Sequence, residues 1–149
     1  MFGALLRKFG WDRTGSLEPG VTTMDATRQL MGAPDMEWHE KREVIWEYAF
    51  TPEGTRNYML AFDANRMLSR VEQVLTPENF AQVQPGMSRD TIRRLLGRPA
   101  TRVVFERRGE EVWDWKMPAS SDVVAHFNVH FDLAGSVTGT SRTERSLGA

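Results

Sequence analysis

A chain of 149 residues with 40% hydrophobic and 10% aromatic content is long enough for one core, or for two small ones sharing an interface. Nineteen basic against twenty acidic residues leave a net charge of -1, which excludes a global field drawing the molecule toward nucleic acid or a strongly anionic surface. The lack of cysteine excludes disulfides, thiolate metal ligands and a cysteine nucleophile, and no stretch approaches the roughly 20 apolar residues of a membrane span.

The first residues, MFGALLRKFGW, are too short and too interrupted for a signal peptide; an exported protein would carry that segment outside this stretch. Residues 17 to 34, LEPGVTTMDATRQLMGAP, predict a short helix with Thr22 as N-cap, Ala26 and Leu30 facing inward, Gly32 as its stop and Pro34 beyond. A helix of fewer than about 12 residues is marginal alone in water, so its apolar face must lie on something. That something follows. After a weaker strand near 36 to 42, VIWEYAF at 44 to 50 alternates Val44, Trp46, Tyr48 and Phe50 against Ile45, Glu47 and Ala49. NYMLAFD at 57 to 63 does the same with Tyr58, Leu60 and Phe62, and Asp63 with Asn65 turns the chain into a last strand near 67 to 74. LTPENF at 75 to 80 then starts a second short helix, with Thr76 as cap and Pro77 at its first position.

The phrase is then written again. In VQPGMSRDTIRRLLGRPA, residues 83 to 100, Ser88 is the N-cap, Met87 and Ile92 form a hydrophobic staple, and Ile92, Leu95 and Leu96 share one face. Gly97 stops the helix and Pro99 prevents continuation. A weaker strand near 101 to 107 precedes VWDWKM at 112 to 117 and HFNVHFD at 126 to 132, and Asp132 with Gly135 turns into a strand at 136 to 140. Trp46 answers Trp113, Tyr48 answers Trp115, and Phe62 answers Phe131, at an offset drifting from about 66 to 69 residues as loops differ. The closing TSRTERSLGA reads as a solvated tail. The expected architecture is α+β, a tandem repeat of a helix (or helix pair) packed on a three- to four-stranded antiparallel sheet, with units at 1–75 and 76–140 and a tail at 141–149.

The inward aromatics are read as core rather than as a cofactor box, because they must cover the helix. The outward positions differ between copies. In the first they are Ile45, Glu47, Ala49, Asn57, Met59 and Ala61, unusually apolar for a surface facing only water. Such a patch marks an interface, or else is covered by the N-terminal Leu5, Leu6, Phe9 and Trp11. In the second copy they are Val112, Asp114, Lys116, His126, Asn128 and His130. Candidate partner-binding residues are therefore Ile45, Glu47, Met59, Asp114, Lys116, His126, Asn128 and His130.

His126 and His130 have the spacing of a helical zinc pair, but on a strand they lie about 13 Å apart, too far to share one ion unaided, so no metal is assigned. Ser120 and Ser121, with Asp114 and His126, supply the residue types of a small hydrolase. A Pro-Ala-Ser-Ser loop offers neither a pre-ordered nucleophile nor oxyanion donors, so this is kept as the alternative and no catalytic residue is assigned. Seven arginines crowd residues 89 to 108; Arg93, Arg94 and Arg98 are the candidates for an anionic ligand, with a lipid headgroup or acidic protein as the second reading behind a solvated helix back. No cofactor, nucleic acid or small-molecule substrate is expected.

A Pro-Gly-Met-Ser helix ending in Leu-Gly-x-Pro, then a tryptophan strand, then a strand closing in Phe-Asp-x-x-Gly, resembles the SmpA/OmlA (BamE-like) domain of small outer-membrane lipoproteins. The resemblance covers residues 83 to 140 closely and 17 to 74 more loosely. It implies helices on one face of an antiparallel sheet, a non-catalytic protein-interaction role accessory to outer-membrane assembly, a protein partner, and a place on the periplasmic face of the outer membrane; without it a soluble cytoplasmic protein would be expected. Two such units in tandem also look like the β-lactamase-inhibitor protein architecture, which implies enzyme inhibition as an alternative. The lipid-bearing cysteine of the lipoprotein pattern is not in this sequence.

Overall fold

A computed structural model of the chain describes residues 12–118 and 123–146. They fall into two compact units: residues up to Phe50 with Arg56–Val74, and Thr51–Thr55 with residues from Leu75 onward. Each is α+β and built on a four-stranded antiparallel meander, which is the expected fold class.

In the first unit, helix α1 (Met24–Met31) packs on strands β1 (Met36–Glu40), β2 (Glu43–Ala49), β3 (Asn57–Phe62) and β4 (Leu68–Gln73), in the order β1-β2-β3-β4. The cap is Thr23, not Thr22: its hydroxyl accepts from the Ala26 amide at 3.1 Å, while Thr22 accepts from the Glu18 amide at 2.9 Å. Moving the start by one residue rotates the inward face. Met24, Thr27 and Met31 are buried and Ala26 is exposed, with Leu30 half-buried. Thr27 is tolerated inside because its hydroxyl donates to the Thr23 carbonyl at 2.9 Å. Beneath the helix lie Trp46, Tyr48, Phe50, Tyr58, Leu60, Phe62 and Leu68.

In the second unit, α2 (Pro77–Phe80) and α3 (Arg89–Leu96) accompany β5 (Thr101–Phe105), β6 (Glu110–Met117), β7 (Val123–Asp132) and β8 (Val137–Ser146), in the order β5-β6-β7-β8. Thr76 and Ser88 cap the two helices as the sequence predicts, accepting from the Asn79 and Thr91 amides at 3.2 and 3.1 Å. Ile92 and Leu96 are fully buried over Trp113, Trp115, Val129 and Phe131. Burial of each aliphatic side chain stabilises by roughly 1.5–3 kcal/mol, more than an eight-residue helix could supply by propensity. Strand β8 runs to Ser146, well past Thr140, so most of the segment read as a solvated tail is paired with β7. Its alternating Ser, Arg, Thr and Glu carry no apolar period, and the pairing is what orders them.

The repeat holds to the level of single hydrogen bonds. Both long helices are eight residues, and the extra residue of the first copy lies before its cap. The amides of Gly20 and Gly86 donate to the carbonyls of Leu68 and Val137, each at 2.8 Å. Asp63 and Asp132 close equivalent turns, and both sheets carry a bulge at the same place, Ala61/Phe62 and His130/Phe131. The Tyr48 hydroxyl donates to the Gly32 carbonyl at 2.8 Å, and the Trp115 indole to the Gly97 carbonyl at 3.1 Å. Both glycines sit at positive φ, 81° and 77°, where a side chain would be strained.

One position diverges between the copies. The Trp46 indole donates to Glu37 at 2.7 Å. At the matching place opposite Trp113 stands Arg102, whose guanidinium lies 4.5 Å from the ring centroid; the buried Trp113 N–H has no acceptor among the described residues.

Candidate functional site

The outer face of the second sheet collects most of the side chains singled out from sequence. Alternation puts Trp113, Trp115, Val129 and Phe131 on the core side and leaves Asp114, Lys116, His126, Asn128 and His130 on the other, brought side by side by the register Asp114↔Asn128, Lys116↔His126 and Val112↔His130. Two polar chains cross this face. In one, Thr101 donates to Asp114, whose other oxygen lies 3.0 Å from His126 Nδ1. In the other, Glu110 bonds His130 Nδ1, His130 Nε2 lies 2.7 Å from the Ser141 hydroxyl, and the Asn128 amide donates to Ser141 at 3.2 Å and Thr143 at 3.4 Å. A carboxylate can only accept, so in each neutral imidazole Nδ1 carries the proton, and Nε2 of His130 accepts from Ser141. Lys116 reaches the Glu53 carbonyl at 3.5 Å. Most of these groups are half-buried, so donors and acceptors are held in place before any ligand arrives.

Glu110 and Ser141 belong to this network and were not singled out from sequence. Their signal is the strand register: His130 pairs with Gly139 and Asn128 with Ser141, which puts Ser141 beside the His130 ring. Ser120 and Ser121, the serines of the hydrolase alternative, lie outside the described residues. Each histidine has its own carboxylate, and among the described residues no group of three or more His, Cys, Asp or Glu side chains is gathered to hold a metal.

The first sheet behaves differently. Ile45, Glu47 and Met59, expected to face solvent, are 1%, 0% and 3% exposed. Ile45, Met59, Ala61 and Val74 form a second small apolar cluster with Trp38 packed against it. Leu5, Leu6, Phe9 and Trp11, the other cover considered for this face, lie outside the described residues.

The arginine window is distributed rather than focused. Arg93 and Arg94 are half-buried in the last turn of α3. Arg98 donates to the Thr51 carbonyl at 2.6 Å and its own carbonyl accepts from the Thr51 hydroxyl at 2.7 Å, so one arm of its guanidinium is already engaged. Arg89 pairs with Glu111 at 2.7 Å and Arg108 with Glu110 at 3.5 Å. Among the described residues no helix is long and apolar enough to cross a membrane.

Residues 72–141 match the family model of the outer membrane protein assembly factor BamE domain. The match spans slightly under half of the chain, lies almost wholly on the second unit, and bears out the resemblance carried by the second copy of the motif. A solved structure from Streptococcus mutans, described as a candidate beta-lactamase inhibitor protein, is 15% identical with a TM-score of 0.36, over 82% of each chain. No curated protein matches the chain.

Proposed function

We infer that the chain is a non-catalytic protein-interaction module of the cell envelope, accessory to outer-membrane protein assembly and working at the periplasmic face of that membrane. The observation that carries this reading is the match of residues 72–141 to the BamE domain model, which falls on a unit whose elements repeat that motif in order. Support from the geometry is the outer face of the second sheet, where Asp114, Lys116, His126, Asn128 and His130 offer charges of both signs in fixed positions. A half-buried polar array of this kind favours recognition by complementary hydrogen bonds over binding of a small apolar ligand.

The same network argues against hydrolysis. Glu110, His130 and Ser141 have the connectivity of a relay, but the Asn128 amide that could serve a developing oxyanion is already bonded to the Ser141 oxygen, and the serine lies on a strand rather than at a turn. The test is affinity isolation of the tagged chain from envelope fractions. Outer-membrane assembly proteins should be recovered, with recovery lost on Lys116→Glu combined with His126→Glu while the circular dichroism spectrum is kept. Recovery unaffected by that pair, or no assembly protein recovered, would remove the reading; inhibition of a β-lactamase by the purified chain would replace it.

A further inference from the structure

The duplication supplies an internal comparison that no single domain could. Strands β1 and β5 occupy the same place, the first edge of the sheet, and pair with the next strand in the same register, so their residues correspond one to one. Strand β1 reads Met-Glu-Trp-His-Glu, and β5 reads Thr-Arg-Val-Val-Phe. Charged or titratable side chains at Glu37, His39 and Glu40 guard the first edge, as edge strands of soluble proteins ordinarily do. In the second copy Arg102 keeps a charge at the place of Glu37, but Val104 and Phe105 stand where His39 and Glu40 stood, and Val103, Val104 and Phe105 are 43%, 52% and 38% exposed. These three consecutive residues are half of the large hydrophobic side chains exposed among the described residues.

The other devices that blunt an edge are also missing here. β5 pairs with β6 without a register shift, whereas the far edges, β4 and β8, each carry a bulge and polar side chains. β5 contains no proline, and all five of its residues are exposed. A regular, apolar edge of this kind is a template for another strand.

We propose that β5 is a strand-addition site that takes an extended segment of a partner protein, apolar at alternate positions and acidic between them. The acidic character follows from the flanks: Arg102 and Arg107 border the edge with Glu106 beside them in the chain, while Arg108, 4.1 Å from the Phe105 ring centroid, pairs with Glu110 at 3.5 Å and so offsets the carboxylate opposite Phe105. A second copy of this chain would instead bring two sets of arginines together. Backbone hydrogen bonds would supply the attachment, Val103, Val104 and Phe105 the apolar contacts, and the arginines the preference for carboxylates. The inference does not depend on the family match.

The experiment is amide hydrogen exchange on the full chain, with an N-acetylated octapeptide alternating valine and glutamate as probe. A valine–lysine peptide and the glutamate peptide with a central proline serve as controls. The expected result is slower exchange at β5, at least tenfold for its outward-facing amides, with the glutamate peptide alone, and weaker binding as salt is raised. Val104→Lys, at an exposed position, should abolish the protection; Arg107→Glu should weaken binding about tenfold. No protection at millimolar peptide, protection elsewhere than β5, or equal protection in Val104→Lys would overturn the proposal. So would a chain that self-associates through β5 without peptide and becomes monomeric in Val104→Lys, which would make the occupant a second copy.

Discussion

Tyr48 and Trp115 stand at equivalent points of the two sheets, and each donates a hydrogen bond to the carbonyl of the glycine that ends its helix, at 2.8 Å to Gly32 and 3.1 Å to Gly97. The aromatic body covers the helix while its polar tip satisfies a carbonyl the helix cannot. Tyr48→Phe keeps the ring and removes the bond, and should cost about 1–2 kcal/mol. Trp115→Phe also loses packing volume in a fully buried position, and should cost about 2–4 kcal/mol. Urea unfolding of both variants checks the order as well as the size.

Arg102 replaces an acceptor with a cation. Arg102→Glu should give the buried Trp113 N–H the partner that Glu37 gives Trp46. A bond to a charged acceptor contributes about 1.5–3 kcal/mol, against about 0.5–1 kcal/mol for the lost cation stack, so a net gain near 1 kcal/mol is expected. The gain should vanish in a Trp113→Phe background. Trp113→Ala should itself cost about 3–5 kcal/mol.

Acid stability should depend on Asp12. Burial pushes its carboxyl up, but hydrogen bonds from the Thr14 hydroxyl and amide and the Tyr58 phenol, with Arg56 at 3.2 Å, outweigh it and hold the carboxyl below its ordinary 3.8. A depressed value means the folded state favours the ion. The contribution is therefore present above the ordinary value and lost as pH falls through the lower folded one. Asp12→Asn should be less stable near neutrality and show a flatter acid limb in urea midpoints. Tyr58 runs the other way: burial and the Asp12 charge raise it above 10.0, so its contribution is lost as alkaline pH rises through that higher value.

Ser141 should not be a nucleophile. Incubation with a fluorophosphonate probe is expected to leave it unlabelled, since the Asn128 amide, the donor beside it, is already directed at the serine hydroxyl itself. Stoichiometric labelling there, abolished by His130→Ala, would make the chain an enzyme.

The helices and the inner sheet faces were readable because each was written by a strong local signal. Ser88 is a cap candidate with no second hydroxyl beside it, and Trp113-x-Trp115 can only alternate. Thr22 and Thr23 both satisfy the capping pattern, and only the long-range bridge of Thr23 to Met67 chooses between them. Strand β3, Asn57–Phe62, is buried at every position, so its apolar run signalled cover on both faces rather than an exposed patch. Glu110 and Ser141 joined His130 through diagonal neighbours across three strands, a relation set by register and invisible to spacing along the chain.

The most direct test of the interaction reading is photo-crosslinking in living cells, with a photoreactive side chain at His126 on the outer face of the second sheet and, as control, at the exposed Gln29 of α1. Adducts with outer-membrane assembly proteins from position 126 and none from position 29 are predicted. No adduct from 126, or the same adducts from both, would contradict it.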